Sequence, residues 1–177
     1  MGSKTAQELR DRVEAAWDNL SRQLEGLDAH MERADAPGEW TTREVLSHLL
    51  FEPGFDPGET MSKFSERDYP FVEIATGDTY LDDQRKAMTL AQMREGLDTQ
   101  RRRVLAYVDG LDERAFERKA RIPLFKQFMG TEEITLSMYV GALFDYHWHD
   151  HAGQLEKIRH AVGLASSPGV RPSPLPI

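Results

Sequence analysis

The sequence predicts an all-α domain, a four-helix bundle arranged up-down-down-up with a long crossover between the second and third helices. Three observations predict it. Four segments place apolar residues at spacings of three and four with charged residues between them, so each has one face to bury. Stripes of this kind are best buried against one another. The first connection is short, which predicts antiparallel neighbours for helices one and two. The second, Glu52 to Met88, is long enough to return the third helix parallel to the second.

The first helix is predicted over Thr5 to Arg33, about 43 Å at 1.5 Å per residue, on the stripe Leu9, Val13, Trp17, Leu20, Leu24 and Leu27. Pro37 and Gly38 break the chain after it. Thr41 or Thr42 caps a short second helix, with Glu44 placed to complete a capping box and Val45 and Leu49 on the buried face. Two Pro-Gly pairs in "EPGFDPGET" stop it near Phe51. The connection that follows carries a candidate short helix in "GETMSKFSER" and an extended stretch in "DYPFVEI".

Thr89 caps a third helix whose Leu90, Met93, Leu97, Val104 and Val108 share a face, and "DERAFER" adds a turn or two. Thr131 or Thr135 starts a fourth helix running through Met138, Leu143, Leu155, Ile158 and Val162 to Gly163. One domain over residues 1–166 is expected, followed by a Pro- and Ser-rich tail over 167–177.

Composition narrows the function classes. Twenty-two Lys and Arg against thirty Asp and Glu leave a net charge of −8, which opposes binding to a phosphate backbone. There is no cysteine, so a disulfide framework, a thiolate zinc site and a cysteine nucleophile are excluded, and a thiol used in chemistry must arrive on a substrate. No apolar run reaches membrane-spanning length and no signal-peptide core follows Met1, so no membrane is expected and the cytoplasm is the expected compartment. Met1, Gly2 and Ser3 open like a myristoylation signal, but Ala6 stands where Ser or Thr is required, which favours an unmodified start.

The sharpest feature is "HWHDH", three of the six histidines within five positions. On a helix His147 and His151 differ by about 40° in azimuth and lie about 5–6 Å apart at Cβ, close enough to share an ion. They fall on the inward stripe between Leu143 and Leu155. His48 borders the buried face of helix two beside Val45 and Leu49. Three imidazoles at about 2.0–2.1 Å leave a tetrahedral ion one position for water or substrate, the form of a catalytic zinc site.

Each histidine also has an ordinary reading, as a hydrogen-bonded core residue or a surface polar group; it is their joint inward placement that favours metal. His30, His149 and His160 are expected in solvent. Glu52, one turn past His48, is a candidate to orient an imidazole or complete the coordination, and Gln154 to bind substrate or cap the core edge. Asp145 and Asp150 are less directed candidates, and nothing in the spacing of Lys63, Tyr80 or Tyr107 separates them from structural residues.

Taken together, "GEWTTREVLSHLL" and "HWHDHAGQL" resemble the DinB/YfiT-like superfamily over most of the chain, with Trp40 just before the capped helix and HxxxH followed by a small residue and Gln. The resemblance implies a dimeric up-down-down-up bundle with a divalent metal on His48, His147 and His151; the geometry of three imidazoles points to zinc first, with nickel or another transition metal as alternatives. It also implies an enzyme that activates a low-molecular-weight thiol for transfer to a small electrophile. Hydrolysis by a metal-activated water and noncatalytic binding of a metal or small molecule are the alternatives. Ala152 stands where many relatives carry Arg after the last ligand, and "EPGFDPGET" is distinctive, so substrate and thiol are left open.

Overall fold

Ser3 accepts a hydrogen bond from the Ala6 amide and starts α1, Lys4–Leu24. The computed structural model describes residues 3–74 and 77–167. Most of the tail, 168–177, and the Met1-Gly2 start lie outside the described residues.

In α1 the buried stripe is Leu9, Val13, Ala16, Leu20 and Leu24, and each fully buried leucine or valine contributes about 1.5–3 kcal/mol. Trp17 lies at the rim instead, half-buried, with the Arg94 and Arg101 guanidinium groups over its ring. The helix ends earlier than the periodicity predicts. Gly26 takes φ +79°, and Leu27 and Met31 continue the apolar stripe through a 3-10 turn, Asp28–His30. The carbonyls released there have a distant partner: the buried Arg159 guanidinium donates to Gln23 O at 3.2 Å and to Glu25 O.

The second helix, α2, Thr42–Leu49, opens with the expected Thr41–Glu44 capping box. Asp56 caps α3, Pro57–Ser62, within the stretch expected to hold a short helix. A further short helix, α4, Asp83–Ala87, precedes α5, Leu90–Asp109, which has its own Thr89–Gln92 capping box. "DERAFER" forms a 3-10 turn, Glu113–Glu117.

Two short strands then join the helical framework. Strands β1, Lys119–Arg121, and β2, Glu133–Thr135, pair antiparallel with Ala120 opposite Ile134, both fully buried. Between them lies α6, Phe125–Met129, closed by Gly130 at φ +73°. Extended residues of the long connection bridge onto β1, Ser65 to Lys119 and Phe71 to Arg121.

Thr135, one of the two expected caps, starts α7, Leu136–Gly141. A π turn, Ala142–Tyr146, joins it to α8, His147–Ala161. Helix α1 packs on α5 and α8, and α2 packs on the same two. The expected pairing of the first two helices is therefore not among the main contacts. With α1 ending at Leu24, residues 25–41 form a link long enough to carry the chain across the bundle. No helix among the described residues is long and apolar enough to cross a membrane.

Candidate metal centre

The last turn of α2 meets the first turn of α8, and three histidines converge there. His48 stands at the edge of the α2 face that buries Val45, Leu46 and Leu49. His147 is the first residue of α8 and His151 follows one turn later. Ring centroids lie 4.9 Å apart for His48 and His147, 4.8 Å for His48 and His151, and 4.6 Å for His147 and His151. One ligand atom from each lies within 4.8 Å of the others, and the Nε2 atoms of His48 and His147 are 2.9 Å apart. Nitrogens bound to one tetrahedral ion at about 2.0–2.1 Å are about 3.3 Å apart, a value between these limits.

Hydrogen bonding decides which way the rings present their lone pairs. His48 Nδ1 donates to the Asp78 carbonyl at 2.7 Å, and His151 Nδ1 donates to Gln154 Oε1 at 2.9 Å. A neutral imidazole that donates through Nδ1 is an acceptor at Nε2, so both rings offer a lone pair inward. The buried Nδ1 of His147 closes no regular hydrogen bond, although the Leu143 carbonyl is near enough to raise the ring's basicity. His147 thus has two options. It can donate its Nε2 proton to His48, leaving a bare Nδ1 facing a carbonyl, or set a second lone pair against that of His48. A cation satisfies the second arrangement, and the donor set fits one.

All three rings favour the neutral, ligating form. Burial lowers the His147 pKa well below 6.5, and the neighbouring His151 and His48 lower it further. Burial likewise lowers His151, with His48 adding to the effect. For His48 burial outweighs the opposing Asp78 carbonyl.

The π turn sets the geometry of His147. Its amide reaches back five residues to Ala142 O, passing over the Leu143 carbonyl that an α-helical amide would use. Single π turns are frequent at functional sites because they re-aim the side chains that follow. Two further irregularities border the centre, Phe51 at φ +59° and Tyr80 at φ +50°, left-handed conformations that bulky residues seldom adopt. The loop carrying Tyr80 is pinned by the buried Arg85, whose Nη1 donates to Ser47 O at 2.9 Å and to Tyr80 O at 3.3 Å. That anchor holds Asp78 within reach of His48.

The histidines stand at one wall of a cleft of about 330 Å³. Trp40 lies parallel to the His151 ring at 6.1 Å and against His48 at 4.9 Å. Phe51, Leu143 and Phe125 supply apolar wall, and Phe128 and Tyr146 stand at the cleft with exposed rings.

The other expected residues are distributed unevenly. Gln154 sits on His151, whereas Glu52 is exposed, and the place beside His48 Nδ1 belongs to Asp78. Asp150 and Tyr80 line the cleft; Tyr107 packs at the core and Lys63 is exposed beside Glu59. His160 is exposed and His30 partly so, but His149, expected in solvent, is buried. It contacts Asn19 through Nδ1 at 2.9 Å and approaches Asp145 at 3.6 Å, and Asp145 is itself bonded to Arg12 Nε at 2.6 Å. The reason is packing: α8 touches both α1 and α2, so a second face of it is covered. Sequence reasoning missed Asp78, which acts through its main chain, and Arg85, one arginine among many.

No protein-family model matches the sequence, and no curated protein matches it. Among solved structures it is similar to YfiT from Bacillus subtilis, described as a probable metal-dependent hydrolase with an unusual four-helix bundle topology. The two are 19% identical, with a TM-score of 0.71 over 93% of this chain and 91% of that one. The fold of this chain is a YfiT-like four-helix bundle.

Proposed function

We propose that this protein is a metal-dependent enzyme that activates a small nucleophile, with His48, His147 and His151 holding one divalent cation. The observation that supports it is the convergence of inward lone pairs on His48 and His151 with a partly buried His147 whose buried Nδ1 has no regular partner. Three imidazoles suit zinc first, and nickel, iron or copper as well. When bound, such an ion lowers the pKa of a coordinated water or thiol and polarises a reacting bond.

The chain's own residues supply the remainder. The Asp78 carbonyl and Gln154 hold two imidazoles in their ligating tautomers. Trp40 and Phe51 pack beside the His48 and His147 rings and shape the approach of a substrate. Asp150, at the cleft, is placed to receive a proton from an incoming nucleophile or return one to a leaving group.

Two nucleophiles fit this reading. A low-molecular-weight thiol, transferred to a small electrophile, is the one implied by the DinB/YfiT resemblance, and a chain without cysteine has to receive its thiol from outside. Water is favoured by the hydrolase description of the YfiT structure and by the carboxylate of Asp150. A homodimer belongs to the same reading, with sedimentation velocity as its check.

Elemental analysis of protein purified without a histidine tag tests the common core. One divalent ion per chain is expected, lost in His48→Ala and in His147→Ala. Metal content unchanged by either substitution would overturn the assignment. Turnover then separates the chemistries. Consumption of an epoxide or a monochlorinated aromatic that depends on both metal and added thiol supports transfer, and consumption without thiol supports hydrolysis. Stoichiometric binding without turnover across such a panel would make the protein a binding module.

A further inference from the structure

The cleft beside the histidines has a marked chemical bias. No lysine or arginine is among its described lining residues, and Asp150 is the one acidic residue there. The rest of the wall is aromatic and aliphatic. Among the described residues only three large hydrophobic side chains are exposed, and two of them, Phe128 at 67% and Tyr146 at 38%, stand at this cleft. Scattered exposed aromatics are ordinary, but two at one concave site leave apolar surface in water until something covers it.

From these features we infer that the cleft selects an uncharged, ring-bearing small molecule, with Phe128 as the specificity-determining residue at its entrance. The inference rests on the proposed enzymatic reading for the direction in which the ligand's reactive end points, toward the histidines. It does not rest on that reading for the choice of ligand body. A volume of about 330 Å³ is at the small end of small-molecule sites and suits one or two rings. Aromatic walls hold a planar ring by offset or edge contacts, in addition to the apolar area covered. An anionic group on the body, away from the histidines where the proposed cation would attract it, meets the opposite conditions: it loses its hydration, finds no lysine or arginine on the wall and shares the cleft with Asp150.

Phe128 is well placed to control this choice. It belongs to α6, a single short helix between Pro123 and Gly130, and its ring is mostly in solvent, so the fold does not depend on it. It therefore provides a test that does not disturb the histidines.

The test uses naphthalene-2-carboxamide and naphthalene-2-carboxylate, equal in shape and different in charge, titrated into the purified full-length protein kept metal-free with chelator, so that neither can ligate an ion, and followed by tryptophan fluorescence and calorimetry. The carboxamide is expected to bind wild type, and Phe128→Ala to weaken it roughly 5-fold with an unchanged thermal melt. Phe128→Lys is expected to raise affinity for the carboxylate relative to wild type while lowering that for the carboxamide. Absence of carboxamide binding, carboxamide binding indifferent to Phe128→Ala, or carboxylate binding indifferent to Phe128→Lys would each overturn the inference. Every comparison is between variants in the same metal state, so the metal-content assay above can fail without deciding this result, and this result can fail without touching that assay.

Discussion

His48 Nε2 and His147 Nε2 face each other across 2.9 Å although 99 positions separate them in the chain. With His48 already donating through Nδ1 to Asp78, the contact requires either a proton from His147 or a cation between the rings. Several expected outcomes follow from that requirement and from the groups that enforce it.

Acid should destabilise the metal-free protein through His147. Its pKa is depressed in the fold by burial and by the two neighbouring rings, so the folded chain binds fewer protons here than the unfolded chain. Such a group contributes fully above its unfolded value of 6.5, and the contribution is lost as pH falls through 6.5 toward the depressed value. The melting temperature of chelated protein is expected to hold between about pH 8 and 7 and to drop below 6.5, with a shallower drop in His147→Gln.

Gln154 should control metal affinity without being a ligand. Its Oε1 accepts from His151 Nδ1 and fixes the tautomer that turns Nε2 inward. Gln154→Leu is expected to weaken metal binding about 10- to 100-fold in competition with a chromophoric chelator, and Gln154→Glu to restore most of it.

Arg85 should couple the long connection to the metal centre. It is buried and donates to Ser47 O and Tyr80 O, which keeps the Asp78 carbonyl against His48. Arg85→Ala removes the guanidinium from Ser47 O, while Tyr80 O keeps the Asp82 amide at 3.1 Å, and is expected to cost about 1–3 kcal/mol in urea unfolding, with weaker metal binding. Arg85→Lys should rescue little, because the lysine stem ends short of the Nη1 position from which Arg85 reaches Ser47 and Tyr80.

Arg12 should matter to stability beyond what a half-exposed arginine suggests. Its guanidinium neutralises Asp145, which is 3% exposed and adjoins His149 in the π-turn region. Arg12→Leu leaves a carboxylate buried without its cation, at an expected cost of about 2–4 kcal/mol, less than for a fully buried pair because Arg12 is partly exposed. The urea midpoint should fall with little change in slope.

Most of the helical framework was legible in local sequence. The Thr41–Glu44 and Thr89–Gln92 capping boxes formed where their residues called for them, and the stripe of α5 is the buried face observed. Local logic failed where distant partners intervened. Helix α1 stops at Leu24 although Leu27 and Met31 continue its apolar pattern, because Gly26 turns the chain and Arg159 takes the freed carbonyls. The fourth helix contains a π turn that no periodicity announces, and α4 and the β1–β2 hairpin went unpredicted because each is short.

The sequence by itself determined which residues meet: one helical turn brings His147 and His151 together, and an inward position on a capped helix makes His48 their partner. Both follow from backbone periodicity, which local sequence encodes. Tertiary structure alone decided how the imidazoles are held and which others are buried. Asp78 rather than Glu52 orients His48, through a carbonyl every residue type possesses, and His149 is buried because α1 covers a face that a single-stripe pattern leaves to water. Main-chain acceptors and helix neighbours belong to the packed arrangement, so they become readable only once the bundle has formed.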